Sequence, residues 1–216
     1  MKRVRRPIFN LPNCLTLSRF LFAPIMLCLI LDMQDPRDDP SAWTTSLWGA
    51  AVLLATLATD LFDGSLARAR GEVTNFGKIM DPVADSTFFM TLLFGLANSR
   101  RFGEHVSLWL PILVLYREVA MQIFRRYAAL AGNAVPAKFA GKAKMAIQSA
   151  VVAAFFFCVL ARDWSFKAGN PLISEEFLQT LSTAAGFVTV AVNLLSLIEY
   201  ARDVPELMAE YAPPEN

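Results

Sequence analysis

Four aspartates crowd into 26 residues of this chain. They stand in the stretch Asp60-Leu-Phe-Asp63-Gly64-Ser-Leu-Ala67-Arg68, eight further residues, and Gly77-Lys-Ile-Met-Asp81-Pro-Val-Ala-Asp85. At helical spacing, Asp60, Asp63, Gly64, Ala67 and Arg68 share one face of a helix, and Gly77, Asp81 and Asp85 share one face of the next. Two carboxylates about 5 Å apart repel by roughly 3 kcal/mol at an effective dielectric near 20, so Arg68 alone would not offset several such pairs. One or two hard divalent cations would, and carboxylate oxygens suit Mg²⁺ or Mn²⁺. Two such ions also polarise a phosphate and stabilise its leaving group. The alternative is structural: the aspartates cap helices or pair with Arg68, Arg70 and Lys78. Four in one register argue for metal. Gly64, Ala67 and Gly77 lack bulk, so a ligand or a neighbouring backbone can approach closely. Pro82 is expected to start the second helix or to disturb its hydrogen bonding one turn in.

The elements that position these groups are membrane spans. The 216 residues are 55% hydrophobic, with a mean hydropathy of +0.42, and the apolar residues fall in long runs. Six windows approach the roughly 20 apolar residues that a spanning helix needs: 12–32, 45–67, 78–98, 107–131, 144–162 and 177–200. The expected fold is an all-α integral membrane protein of six transmembrane helices. A short interfacial segment over residues 1–11 precedes them, where basic and apolar residues alternate. The membrane domain is read as 1–203, and the acidic, proline-containing residues 204–216 as a flexible tail.

Orientation follows from lysine and arginine. The N-terminus, the 2–3 connection (Arg68, Arg70, Lys78), the 4–5 connection (Arg125, Arg126, Lys138, Lys142, Lys144) and Arg202 outnumber Arg37, Arg100, Arg101, Arg162 and Lys167 on the other side. Both termini are therefore expected in the cytoplasm, with the aspartates at that face. Trp43, Trp48, Trp109 and Trp164 fall near the opposite ends of the spans, as an interfacial belt requires. A net charge of +1 gives no support to nucleic-acid binding. A single histidine, His105, excludes a histidine-rich zinc site and a Ser-His-Asp triad, and Cys14, Cys28 and Cys158 have no metal or redox spacing.

The pattern Asp-x2-Asp-Gly-x2-Ala-Arg-x8-Gly-x3-Asp-x3-Asp resembles the signature of the CDP-alcohol phosphatidyltransferases at every position. The resemblance implies a six-helix homodimeric membrane enzyme in which an alcohol attacks CDP-diacylglycerol, or a similar CDP-alcohol, and CMP leaves. Carried over by position, Asp60, Asp63 and Asp81 would ligate metal, with Asp85 near or on it and acting as the general base. Gly64, Ala67, Arg68 and Gly77 would hold the CDP-lipid together with Asp60. Further residues resemble the glycerophosphate branch, the phosphatidylglycerophosphate synthases: Asn10-Leu-Pro-Asn13-Cys-Leu-Thr16-Leu-Ser-Arg19, Arg117-Glu118, and Gly141-Lys142-x-Lys144-x3-Gln148. That branch implies glycerol 3-phosphate as acceptor and the cell (inner) membrane of a bacterium as the location.

A phosphorylated acceptor needs cations near the metal site. Arg117 lies within a span, where an unpaired charge is costly and marks function, though Glu118 offers an ion-pair partner. With Arg126, Lys142 and Lys144 it could bind the acceptor phosphate; for the basic residues near the cytoplasmic face, topology alone is an equal explanation. Asn13, Thr16 and Arg19 share a helical face and could border the nucleotide pocket; for Asn13 and Thr16 helix packing is an equal explanation. Ser86 departs from the lysine usual after the last aspartate in the glycerophosphate branch. This keeps inositol phosphate, serine, phosphatidylglycerol and CDP-choline phosphotransfer open. Outside the family, a carboxylate-lined ion transporter is the competing class, although the acids cluster at one membrane face and the last two spans hold almost no charge.

Overall fold

The apolar windows become six α-helices: α1 Leu11–Asp32, α2 Ala42–Ala69, α3 Asn75–Asn98, α4 Trp109–Leu130, α5 Phe139–Lys167 and α6 Glu175–Glu210. The computed structural model describes residues 10–72, 74–130, 139–170 and 172–210. For 61, 63, 75, 78, 125–130, 139–143, 145, 200, 201 and 203–210 it describes the backbone alone. No strand occurs among the described residues.

Five segments are long and apolar enough to cross a membrane: Leu11–Asp32, Ala42–Ala69, Ile79–Asn98, Ala146–Lys167 and Glu175–Glu199. The chain is an all-helical membrane protein. The window expected to be the fourth span forms the helix α4, but Arg117, Glu118, Arg125 and Arg126 offset its apolar residues and it is not among these five. Boundaries differ from expectation at α3, α5 and α6; α5 runs five residues past its window at each end. Pro82 neither starts α3 nor sits in its first turn, because α3 begins at Asn75 and carries Pro82 inside. The helix α6 continues to Glu210, into the segment read as tail. Of the interfacial segment expected over 1–11, residues 1–9 lie outside the described residues.

The helix α1 packs on α2 and α3, α5 packs on α2 and α6, and α4 on α3 and α6. Met26, Ile30, Leu53, Leu92, Phe155, Phe156 and Val159 fill the middle of the bundle. At Gly95 the α1–α3 approach is close: an added Cβ would lie 3.2 Å from Leu27 and 3.3 Å from Ile30.

Away from the aspartate signature, a closed charge cluster ties the other end of the bundle. Arg101 meets both oxygens of Asp163 at 2.9 Å and Glu175 at 3.0 and 3.1 Å. Arg162 meets Asp35 at 3.1 Å and Glu175 at 2.8 Å, and Ser46 donates to Asp163. Burial works against the charge on Arg101, but its bonds to Asp163 and Glu175 outweigh that and push its pKa above the ordinary value. Burial likewise pushes Asp35 up, yet the Arg37 backbone N–H and the Arg162 guanidinium together hold it below the usual carboxylate value. At the same end Trp43 and Trp164 stack edge to face with Lys167 over Trp43, and Trp48 and Trp109 are exposed.

Candidate active site

The other end of the bundle is built from two caps and a turn. Asn10 caps α1 by accepting from the Asn13 backbone N–H at 3.0 Å, and its own amide donates to the Glu72 carbonyl at 3.1 Å. Thr74 caps α3 by accepting from the Gly77 N–H at 3.0 Å, and also accepts from the Asn13 side chain at 3.0 Å. Gly71, at φ +62°, reverses the chain between α2 and α3 in a conformation that side chains disfavour. Gly77 is needed for closeness: a Cβ there would lie 2.6 Å from the Asn13 side-chain oxygen. These contacts hold the start of α1 against the signature helices.

Asp60 of α2 and Asp81 and Asp85 of α3 come together, each offering an oxygen within 4.8 Å of the others. The side chain of Asp63, one turn further along α2, lies outside the described residues. Arg19 of α1 reaches all three described carboxylates: Asp60 at 3.1 Å, Asp81 at 3.0 Å, and Asp85. It is buried, with a side chain 1% exposed, while Asp60 and Asp81 are each 44% exposed. One guanidinium therefore faces three carboxylates, and the remaining negative charge opens to solvent. All-oxygen donors with excess negative charge fit a hard divalent cation, which Asp60, Asp81 and Asp85 would hold.

Two hollows flank these carboxylates. A cleft is lined by Pro12, Asn13, Thr16, Gly64, Ala67, Arg68, Glu72, Thr74, Gly77 and Asp81. Every residue expected to hold the CDP-lipid, apart from Asp60, borders it. The second is a cavity running into the bundle from Asp60 and Asp85. Its polar end carries Arg19, Ser86, Glu118, Lys144 and Gln148; Leu53, Leu57, Phe88, Phe89, Leu92 and Val152 make it apolar further in.

The residues expected at an acceptor phosphate divide. Lys144 is buried, lines this cavity and donates to Glu118. Ser86 donates to the other Glu118 oxygen at 3.1 Å. Ser86 of α3 and Lys144 of α5 thus meet on one carboxylate of α4. Arg117 turns to Glu118 at 2.9 Å and to Ser196 of α6 at 2.5 Å, and does not line the cavity. The side chains of Arg126 and Lys142 lie outside the described residues. Arg19 as counter-ion was missed by the sequence reading, which placed it at the nucleotide pocket; its helical face with Asn13 and Thr16 was the available signal.

The model of the CDP-alcohol phosphatidyltransferase family matches residues 9–198. The chain belongs to the CDP-alcohol phosphatidyltransferase family. It is therefore a phosphotransferase of phospholipid synthesis. A protein of Bacillus subtilis named CDP-diacylglycerol–glycerol-3-phosphate 3-phosphatidyltransferase is 34% identical over 187 residues, 85% of this chain and 91% of the relative. A probable phosphatidylglycerophosphate synthase of Mycobacterium tuberculosis is 34% identical over 151 residues, 70% of this chain and 68% of the relative. A CMP-forming cardiolipin synthase of Streptomyces coelicolor is 31% identical over 126 residues, 56% of this chain and 54% of the relative.

Proposed function

We propose that this family member transfers the phosphatidyl group of CDP-diacylglycerol to sn-glycerol 3-phosphate, giving phosphatidylglycerophosphate and CMP. The observation that carries the reading is the pair of hollows meeting at Asp60, Asp81 and Asp85, one lined by signature residues and the other holding the buried cation Lys144. The names of the Bacillus and Mycobacterium relatives point the same way.

In this reading the cytidine diphosphate lies in the cleft against Asn13, Thr16, Gly64, Ala67, Arg68 and Gly77. The acceptor enters the cavity with its phosphate toward Lys144, with Arg126 and Lys142 as further cations and Arg117 acting through Glu118. Asp85 takes the proton from the acceptor hydroxyl as that oxygen attacks the phosphorus bonded to diacylglycerol. A P–O bond forms, the bond from that phosphorus to the bridging oxygen breaks, and CMP leaves with that oxygen. Mg²⁺ or Mn²⁺, two ions in this reading, held by Asp60, Asp63, Asp81 and Asp85, would supply charge neutralisation of the diphosphate. Arg19 keeps the carboxylates gathered. The charge bias of the loops supports both termini and the site at the cytoplasmic face, and the bacterial relatives support the inner membrane of a bacterium. The homodimer follows the family resemblance.

Phosphatidylglycerol is the competing acceptor. The apolar depth of the cavity and the Streptomyces relative favour it. An acceptor panel with purified protein, CDP-diacylglycerol and Mg²⁺ decides. CMP release is expected with glycerol 3-phosphate and not with inositol phosphate, serine or phosphatidylglycerol. Release with phosphatidylglycerol alone reassigns the acceptor, and no release with any acceptor ends the enzyme reading.

A further inference from the structure

Gln148 is a buried polar residue of the cavity that the proposed chemistry leaves unused. It stands one helical turn after Lys144 on α5, so the two share a face. It is 4% exposed and lines the cavity that also holds Asp85, Ser86 and Lys144. Its amide nitrogen is buried and has no hydrogen-bond partner. A buried donor without an acceptor costs about 1–3 kcal/mol, so it is retained where a ligand satisfies it.

We propose that Gln148 is a specificity-determining residue, whose amide donates to a hydroxyl oxygen of a polyol phosphate acceptor. The inference rests on the acceptor assignment above and adds which part of the acceptor is read. Lys144 addresses the phosphate and Asp85 the attacking primary hydroxyl. Gln148, beside both on the cavity wall, addresses the secondary hydroxyl between them. Ser86 is engaged with Glu118, and Lys144 is assigned to the phosphate, which leaves Gln148 for the hydroxyl. A site built to hydrogen-bond a substrate hydroxyl rejects an analogue lacking it, because the buried donor is then left bare.

The test compares two acceptors and two forms of the full-length protein in lipid nanodiscs with CDP-diacylglycerol and Mg²⁺, read as CMP release. The acceptors are sn-glycerol 3-phosphate and 3-hydroxypropyl phosphate, which lacks the secondary hydroxyl. Wild type is expected to prefer glycerol 3-phosphate by roughly 10- to 100-fold in kcat/KM. Gln148→Met keeps the volume and removes the donor. It should bring the two acceptors within about threefold of each other, by losing activity on glycerol 3-phosphate only. Its KM for CDP-diacylglycerol should not change. Equal losses on both acceptors, a raised KM for the CDP-lipid, or a wild type indifferent to the missing hydroxyl would each overturn the proposal. A wild type active on neither acceptor would instead sink the glycerophosphate reading. Should Gln148→Met fail to fold, Gln148→Leu, which also removes the donor without adding charge, is put through the same comparison with the same expected collapse.

Discussion

The two ends of this bundle both gather acidic and basic side chains, and they do so to opposite effect. In the cluster of Arg101, Arg162, Asp35, Asp163 and Glu175, cations and anions interlock with little exposure; the Asp163 side chain is 0% exposed. In the signature cluster a single buried Arg19 meets three carboxylates, two of them nearly half exposed. Burial with near-matched charge makes a clasp: each group is desolvated once, and its partners return most of that cost. Excess negative charge left open to water makes a poor clasp and a good cation site. The contrast separates charges that are matched and buried from charges left open to a cation, although both sets lie at the ends of apolar helices.

The sharpest way to break this contrast is Asp85→Asn. Turnover should fall by about 10²- to 10⁴-fold, the usual worth of a positioned base. Binding of CDP-diacylglycerol should persist, since the cleft residues are untouched. Lost binding with normal folding would count against the assignment of the base. At the clasp the loss should be of stability instead. Arg101→Ala leaves Asp163 and Glu175 buried with half their partners, and should cost about 3–5 kcal/mol in detergent unfolding. The KM for both substrates should hold in the protein that remains folded; a specific loss of activity would show that the two ends are coupled. The smallest effect is expected at Arg19→Gln. Removing the guanidinium leaves the carboxylates to repel by a few kcal/mol, relieved when Mg²⁺ is added. The Mg²⁺-induced rise in melting temperature should therefore exceed that of wild type. An equal or smaller rise would mean that Asp60, Asp81 and Asp85 do not share an ion.

Much of this was legible in the residues. The spacing of Asp60, Gly64, Ala67, Arg68, Gly77 and Asp81 foretold which side chains share a surface, because helical periodicity is local. The apolar runs foretold the helices for the same reason. Arg19 was less legible: its carboxylates stand up to 66 positions away, and no local spacing reports which face of α1 meets α3. The clasp was not legible at all. By sequence Arg101 and Arg162 read as loop charges that bear on orientation, yet they pair across 62 and 127 positions with Asp163 and Asp35. Arg117 was weighed between an ion pair and substrate contact, and its bond to Ser196 depends on α6 returning beside α4. The length of α6 was misjudged because an acidic, proline-containing sequence reads as loose even where a helix continues.

Arg19 also carries a consequence for how the chain is made. Ribosomes deliver α1 before α2 and α3, so this arginine meets the bilayer before Asp60, Asp81 or Asp85 has been synthesised. It stands eight residues into α1, about 12 Å along the axis. An unpaired arginine deep in a nascent span carries a penalty of roughly 2.5–3.5 kcal/mol on insertion scales. The first helix therefore gains by staying shallow, its guanidinium reaching for the headgroups, until the two signature helices arrive to receive it. Docking of α1 would then be a late step of biogenesis, completed only when Asp60, Asp81 and Asp85 are themselves in place.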